Sequence, residues 1–142
     1  CGENRAHWLD FLFSCLIQPK LPPDCLTMVS RYPRLLPSLA RKVPDDDRWV
    51  ERVELFLGGM ELGNGFHELT DPVEQEQRFV SDLEVRKLEG LTLPDMDERL
   101  IEALRLGLPD CSGIAVGLDR LLMVLTRTSR IEDVLAFPFL QA

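Results

Sequence analysis

The stretch from residue 49 to residue 71 constrains the fold more than any other part of the chain. Residues 49–57 alternate, with Val50, Arg52 and Glu54 on one face and Val53, Leu55 and Leu57 on the other. That is the pattern of a half-buried strand. Gly58-Gly59 follows and permits a turn or a bulge. Residues 60–66 are again extended and carry two more glycines, Gly63 and Gly65. Asp71-Pro72 then reads as a helix start, Asp as N-cap and Pro at the first helical position.

The other periodicities fill in around this core. Residues 5–18 read as an amphipathic helix, with Trp8, Leu9, Leu12, Phe13, Leu16 and Ile17 at helical spacing and Pro19, Pro22 and Pro23 ending it. Residues 26–32 form a short strand closed by Pro33, residues 35–40 a brief helical turn, and residues 44–47 a loop. The helix opened by Asp71 runs to about Glu89 and stops at Gly90. A second helix is capped by Asp95 or Asp97 and ends near Leu106, before Gly107 and Pro109. Residues 114–118 form a short apolar strand, Asp119 opens a helix through about Thr126, and residues 134–137 supply a last strand. No internal repeat or regular βαβ alternation is present. The fold class expected is α+β, an antiparallel β-sheet with flanking helices, in one domain of 142 residues.

Charge and cysteine usage narrow the partners. The net charge is −8, from 24 acidic and 16 basic residues. Nucleic-acid binders rely on basic surface to neutralise phosphates, and this segment offers no such cluster. The longest apolar run, residues 8–17, is broken by Asp10 and Ser14, so no membrane span is expected and a cytoplasmic location is the default. Cys1, Cys15, Cys25 and Cys111 contain no CxxC pair, which points to reduced, partly buried thiols rather than zinc. The chain opens at Cys1-Gly2-Glu3-Asn4 without Met, and a fragment is expected.

Three carboxylates lie in or beside the apolar extended segments: Glu54, Glu61 and Glu68. Buried carboxylates need a partner, and a Mg²⁺ or a ligand ammonium would reconcile them. A spacing of seven does not fix one strand face, so on spacing alone solvent-facing carboxylates are the simpler reading. The glycines around Glu61 and Asn64 let a ligand or another backbone approach, or simply make a turn. A second constellation is Gly113-Ile114-Ala115-Val116-Gly117-Leu118-Asp119-Arg120. Small residues alternate along one strand face, and Arg120 follows at a helix start where a guanidinium can meet phosphate. The plainer reading is a strand–helix joint whose Arg pairs with Asp119 or a nearby Glu. His7 and His67 have no Ser/Asp set around them to suggest a triad, and His67 is more simply a hydrogen-bonded residue than a ligand contact.

Taken together these segments resemble a known family. Gly113 to Arg120 is similar to motif 3 of the class II aminoacyl-tRNA synthetases. The run from Val53 to Asp71 is similar to the corresponding stretch of lysyl-tRNA synthetases. It is closer still to their truncated bacterial paralogues, the ligases that attach (R)-β-lysine to elongation factor P. Thr70 and Ala115 match the paralogues, where the synthetases have Asn and Gly, and the ending at residues 134–138 fits either C-terminus.

The resemblance implies ATP-dependent activation of lysine or (R)-β-lysine as an adenylate, with transfer to a lysine of elongation factor P. By it, Glu54 and Glu61 would hold Mg²⁺, and Glu61, Leu62, Gly117 and Arg120 would line the ATP site. Asn64, Glu68 and Ala115 would receive the amino acid, Glu68 facing an ammonium, with Glu61 and Arg120 nearest the chemistry. Motifs 1 and 2 of that family are not found in the chain. The expectation is therefore a single partial catalytic domain over residues 1–142, with motif 3 at residues 113–126, inactive alone and homodimeric in its full form. The alternatives are a lysyl-tRNA synthetase fragment that charges lysine tRNA, and a synthetase-like module that binds a partner without catalysis.

Overall fold

The computed structural model describes residues 4–36 and 38–138. Its elements in chain order are α1 (Arg5–Leu12), β1 (Thr27–Pro33), β2 (Lys42–Val43), β3 (Asp46–Leu57), β4 (Met60–His67), α2 (Pro72–Leu88), α3 (Glu98–Leu106), β5 (Ser112–Val116) and α4 (Leu118–Thr126). The strands form one antiparallel sheet in the order β1-β3-β4-β5, and the short β2 pairs with the start of β3. The α+β architecture expected from the sequence is the one observed.

The centre of the sheet is the β3–β4 hairpin. Gly58 and Gly59 turn it at φ of 62° and 75°, where a side chain would be strained. Val50 and Phe56 are the largest fully buried side chains. Tyr32, Ala40 and Val50 form a buried cluster, joined by Val29, Leu36 and Phe66. The alternation read from residues 49–57 is thus a core-facing row, and Arg52 and Glu54 lie on the same row.

Asp71 caps α2 as expected, its carboxylate accepting from the Val73 and Glu74 amides at 2.8 and 3.3 Å. Asp71→Ala should cost about 1 kcal/mol, read as a lower denaturant midpoint. A polar clamp ties α2 to the segment ahead of β3. Arg78 donates to the Ser38 and Ala40 carbonyls at 2.9 and 2.7 Å. Glu74 accepts from Arg78 and pairs with Lys42 at 2.8 and 2.9 Å. Burial pushes the Glu74 carboxyl up, but the Arg78 and Lys42 hydrogen bonds together outweigh it and hold it below its ordinary value. A depressed carboxyl contributes stability above its unfolded value and loses it as pH falls through the folded one. Glu74→Gln should therefore flatten the loss of stability below about pH 4.5, measured by denaturant titration along a pH series.

Three expectations need correction. The helix over residues 5–18 is α-helical only to Leu12, widens to a π-turn over Phe13–Ile17 and tightens to 3₁₀ over Gln18–Lys20. No residue of α1 is buried, and of the following turns Phe13 packs against Tyr32 and Phe56 with ring centroids at 6.3 and 5.7 Å. The strand expected at 134–137 is absent: a 3₁₀ turn at Ile131–Asp133 is followed by irregular chain, Phe137 is 88% exposed, and Pro138 offers no N–H to a ladder. Among the thiols, Cys15 and Cys25 are exposed and only Cys111 is half-buried, all three unbridged, while Cys1 lies outside the described residues.

Candidate active site

Register decides which side chains share a face. Glu54 pairs with Asn64, and Asn64 with Ala115, so these three form one cross-strand row over β3, β4 and β5. Arg52, Phe66 and Gly113 form the next row on the same face. The spacing of seven between carboxylates, which fixes no face by itself, is resolved by a register shift between Leu55 and Phe56. Beyond it Glu61 turns to the same cavity as Glu54, a space of about 400 Å³ bounded also by Tyr32, Arg52 and Phe56.

Glu54 is not a solvent carboxylate; it is 7% exposed. Two protein donors reconcile its charge with burial. The Tyr32 hydroxyl donates to Oε2 at 2.6 Å, and the Arg52 guanidinium pairs with Oε1. Burial, then the Glu54 carboxylate, drive the Tyr32 phenol far above its ordinary value, so Tyr32 remains a donor at any working pH. Arg52 also donates from Nε to Asn64 Oδ1 at 3.2 Å and lies over the Tyr32 and Phe66 rings at 4.7 and 5.9 Å.

Glu61 is more open, with a side chain 38% exposed. Arg120, on the first turn of α4, donates to the Glu61 carbonyl at 2.9 Å and approaches its carboxylate at 3.9 Å. Gly117 precedes α4 and donates its amide to the Leu62 carbonyl at 2.8 Å. The Arg120 stem packs beside Gly117, where a Cβ would make ordinary contact with it at 3.5 Å. Leu62 itself is buried, 5% exposed.

The donor set decides which cation suits the cavity. Among the described residues no cluster of three or more His, Cys, Asp or Glu is gathered. Glu54 and Glu61 offer two carboxylates on one cavity, and each Glu54 oxygen keeps a second acceptor position beside its protein donor. Mg²⁺ is commonly held by one or two carboxylates plus waters and substrate phosphates, and this pair fits it.

Glu68 follows β4, its amide donating to the Cys111 carbonyl at 3.0 Å. Its carboxylate sits over Gly113: a Cβ there would meet Oε1 at 2.9 Å. Glu68, Asn64 and Ala115 therefore border one patch. Gly65 keeps β4 and β5 close, since a Cβ at that position would fall 2.6 Å from the Gly113 carbonyl oxygen. All five residues of β5 are exposed, so the patch is open on that side. His67 points elsewhere. Its ring nitrogens lie 2.8 Å from Glu51 and 2.6 Å from Asp110, with Arg41 at 2.9 Å, and it belongs to a hydrogen-bonded network away from the carboxylate cavity. The His67 hydrogen bond first, and the Arg41 charge with it, hold the Asp110 carboxyl below its ordinary value.

The structure thus gathers Glu54, Glu61 and Arg120 at one end and Asn64, Glu68 and Ala115 at the other. Two residues in the same constellation were not singled out from the sequence. Arg52 had a readable signal, because it shares the Glu54 strand face two positions earlier. Tyr32 had none, because its proximity depends on the pairing of β1 with β3.

The family model described as tRNA synthetases class II (D, K and N) matches residues 14–141. A curated relative, the elongation factor P–(R)-β-lysine ligase of Salmonella arizonae, is 42% identical over 135 residues. That alignment covers 95% of this chain and 42% of the relative, so the chain spans less than half the length of the protein it matches. With the match running from the end of the N-terminal helix through β5 and α4, the chain belongs to the class II aminoacyl-tRNA synthetase family of the aspartate, lysine and asparagine group.

Proposed function

We propose that this chain is the C-terminal part of the catalytic domain of an ATP-dependent ligase. The whole enzyme activates lysine or (R)-β-lysine as an aminoacyl-adenylate and transfers it to a lysine of elongation factor P. The observation that carries this reading is the row Glu54–Asn64–Ala115, flanked by Glu68 on one side and by Glu61 with Arg120 on the other. This arrangement supports the reading because an anionic group suited to an ammonium and a cationic group suited to phosphate both border the β3–β5 face. The similarity to the elongation factor P–(R)-β-lysine ligase and the residues Thr70 and Ala115 favour elongation factor P over tRNA as the acceptor.

In the reaction, a substrate carboxylate oxygen attacks the α-phosphorus of ATP. A new P–O bond forms, the bond to the bridging oxygen breaks, and pyrophosphate leaves. The chemistry needs no protein nucleophile; it needs positioning and charge neutralisation. Glu68 faces the side-chain ammonium, and Asn64 and Ala115 shape the pocket. Gly117 and the Leu62 backbone border the adenosine, and Arg120 meets the terminal phosphates. Mg²⁺ held by Glu54 and Glu61 would neutralise the triphosphate.

The residues here supply one side of such a site. The chain alone is therefore expected to bind ATP weakly and to give no pyrophosphate exchange with lysine, whereas the full-length protein should give it. Exchange by the 142-residue chain alone would overturn the division of the site proposed here.

A further inference from the structure

Arg52 occupies a position that the proposed roles leave unused, and its bonding is unusual for a strand arginine. Its side chain is only 18% exposed. One nitrogen pairs with Glu54, another donates to Asn64 at 3.2 Å, and the guanidinium plane lies over two aromatic rings, Tyr32 at 4.7 Å and Phe66 at 5.9 Å. A planar cation fixed by two acceptors and ring faces has little freedom left.

The consequence falls on Asn64. A guanidinium is donor-only, so the Asn64 atom that meets Arg52 must be its oxygen. The Asn64 amino group is thereby turned away from Arg52, and it can only donate. In the row it occupies, Asn64 stands between Glu54 and Ala115. A fixed donor there suits a carboxylate oxygen and repels an ammonium. Glu68, over Gly113, suits the ammonium and repels the carboxylate. The two ends of the patch therefore have opposite preference, and Arg52 sets the polarity of one of them.

We propose that Arg52 is the positioning residue that orients the amino acid in this site: by holding Glu54 and Asn64 together, it presents the Asn64 amide as a donor to the substrate carboxylate. The inference rests on the function proposed above and deepens it. Arg52 does not touch the substrate; it acts through Asn64. Lysine at position 52 keeps a positive charge for Glu54 but has no fork with which to bridge both partners.

The test uses the full-length protein that carries this chain, with pyrophosphate exchange read against lysine and (R)-β-lysine. Arg52→Lys should raise the KM for the amino acid at least about tenfold, while the KM for ATP stays within about twofold of its starting value. Asn64→Ala should raise the same KM, and Asn64→Ala added to Arg52→Lys should raise it little further, because the single lysine variant already frees the amide. A merely structural Arg52 gives additive effects in that cycle, or equal effects on both substrates, and either result overturns the proposal. Asn64→Asp provides a second measurement if Arg52→Lys does not fold. It keeps the Arg52 hydrogen bond and the shape but replaces the donor with an acceptor, so the amino-acid KM should rise at least as far as in Asn64→Ala. An unchanged KM in Asn64→Asp also overturns the proposal. Absence of any lysine-dependent exchange by the unmodified enzyme overturns the functional reading itself, and this proposal with it.

Discussion

Glu54→Gln is expected to cut lysine-dependent pyrophosphate exchange of the full-length protein about 100-fold or more, and to destabilise the fold at the same time. Both effects come from one lost charge. The Gln oxygen can still accept from Arg52, and its amide nitrogen can face the Tyr32 oxygen, so the hydrogen bonds have substitutes. The charge has none. Arg52, with a side chain 18% exposed, is left without a counterion. Removing one partner of a buried ion pair costs roughly 3–5 kcal/mol, and the residual exposure of Arg52 brings the expected loss to about 2–3 kcal/mol. Denaturant unfolding of the chain reads the second effect directly. A midpoint unchanged by Glu54→Gln would mean that the Arg52–Glu54 pair does not hold the sheet as described.

Arg120→Ala is expected to separate the two effects. The Arg120 side chain is 52% exposed, and among the described residues it donates to the Glu61 carbonyl. Surface replacements of this kind stay within about 0.5 kcal/mol of the original stability. Activity should behave differently. A guanidinium set against developing phosphate charge contributes about 10²- to 10³-fold in rate, and alanine removes all of it. The expected result is a full-length variant with an unchanged melting temperature and exchange reduced by that factor. A variant with normal exchange would remove Arg120 from the phosphate site, and an unfolded variant would make it structural. The expected contrast between the two positions follows from burial: Glu54 is buried and bonded within the sheet as well as proposed for the site, whereas the exposed Arg120 is proposed for the site alone.

Local signals in the sequence reached most of the elements. Alternation over residues 49–57, the Gly58-Gly59 turn, the Asp71-Pro72 start and the Asp97 cap are each decided within a few residues, and all four stand in the structure. The last strand failed because the same apolar pattern also occurs in irregular chain that pairs with no strand, and only the fold tells them apart. The N-terminal segment kept its helical periodicity but not its burial, for the same reason: a stripe of apolar residues does not name the surface that receives it. The cavity residues divide along a similar line. Glu54, Glu61, Asn64 and Glu68 came from one continuous stretch and a resemblance. That Glu61 faces the same cavity as Glu54 depends on the register shift at Leu55/Phe56, which spacing does not show. The Tyr32 hydroxyl on Glu54 bridges 22 positions of sequence, and no local pattern announces it.

The central claim is that this sheet carries part of a ligase that activates a lysine-type amino acid for a protein acceptor. The most direct measurement is a transfer assay on the full-length protein with ATP, Mg²⁺ and labelled lysine or (R)-β-lysine, offering elongation factor P and lysine tRNA in parallel. The account predicts label on elongation factor P, taken preferentially from the β-isomer. Label on tRNA from α-lysine would contradict it, and would show that Thr70 and Ala115 do not mark the acceptor.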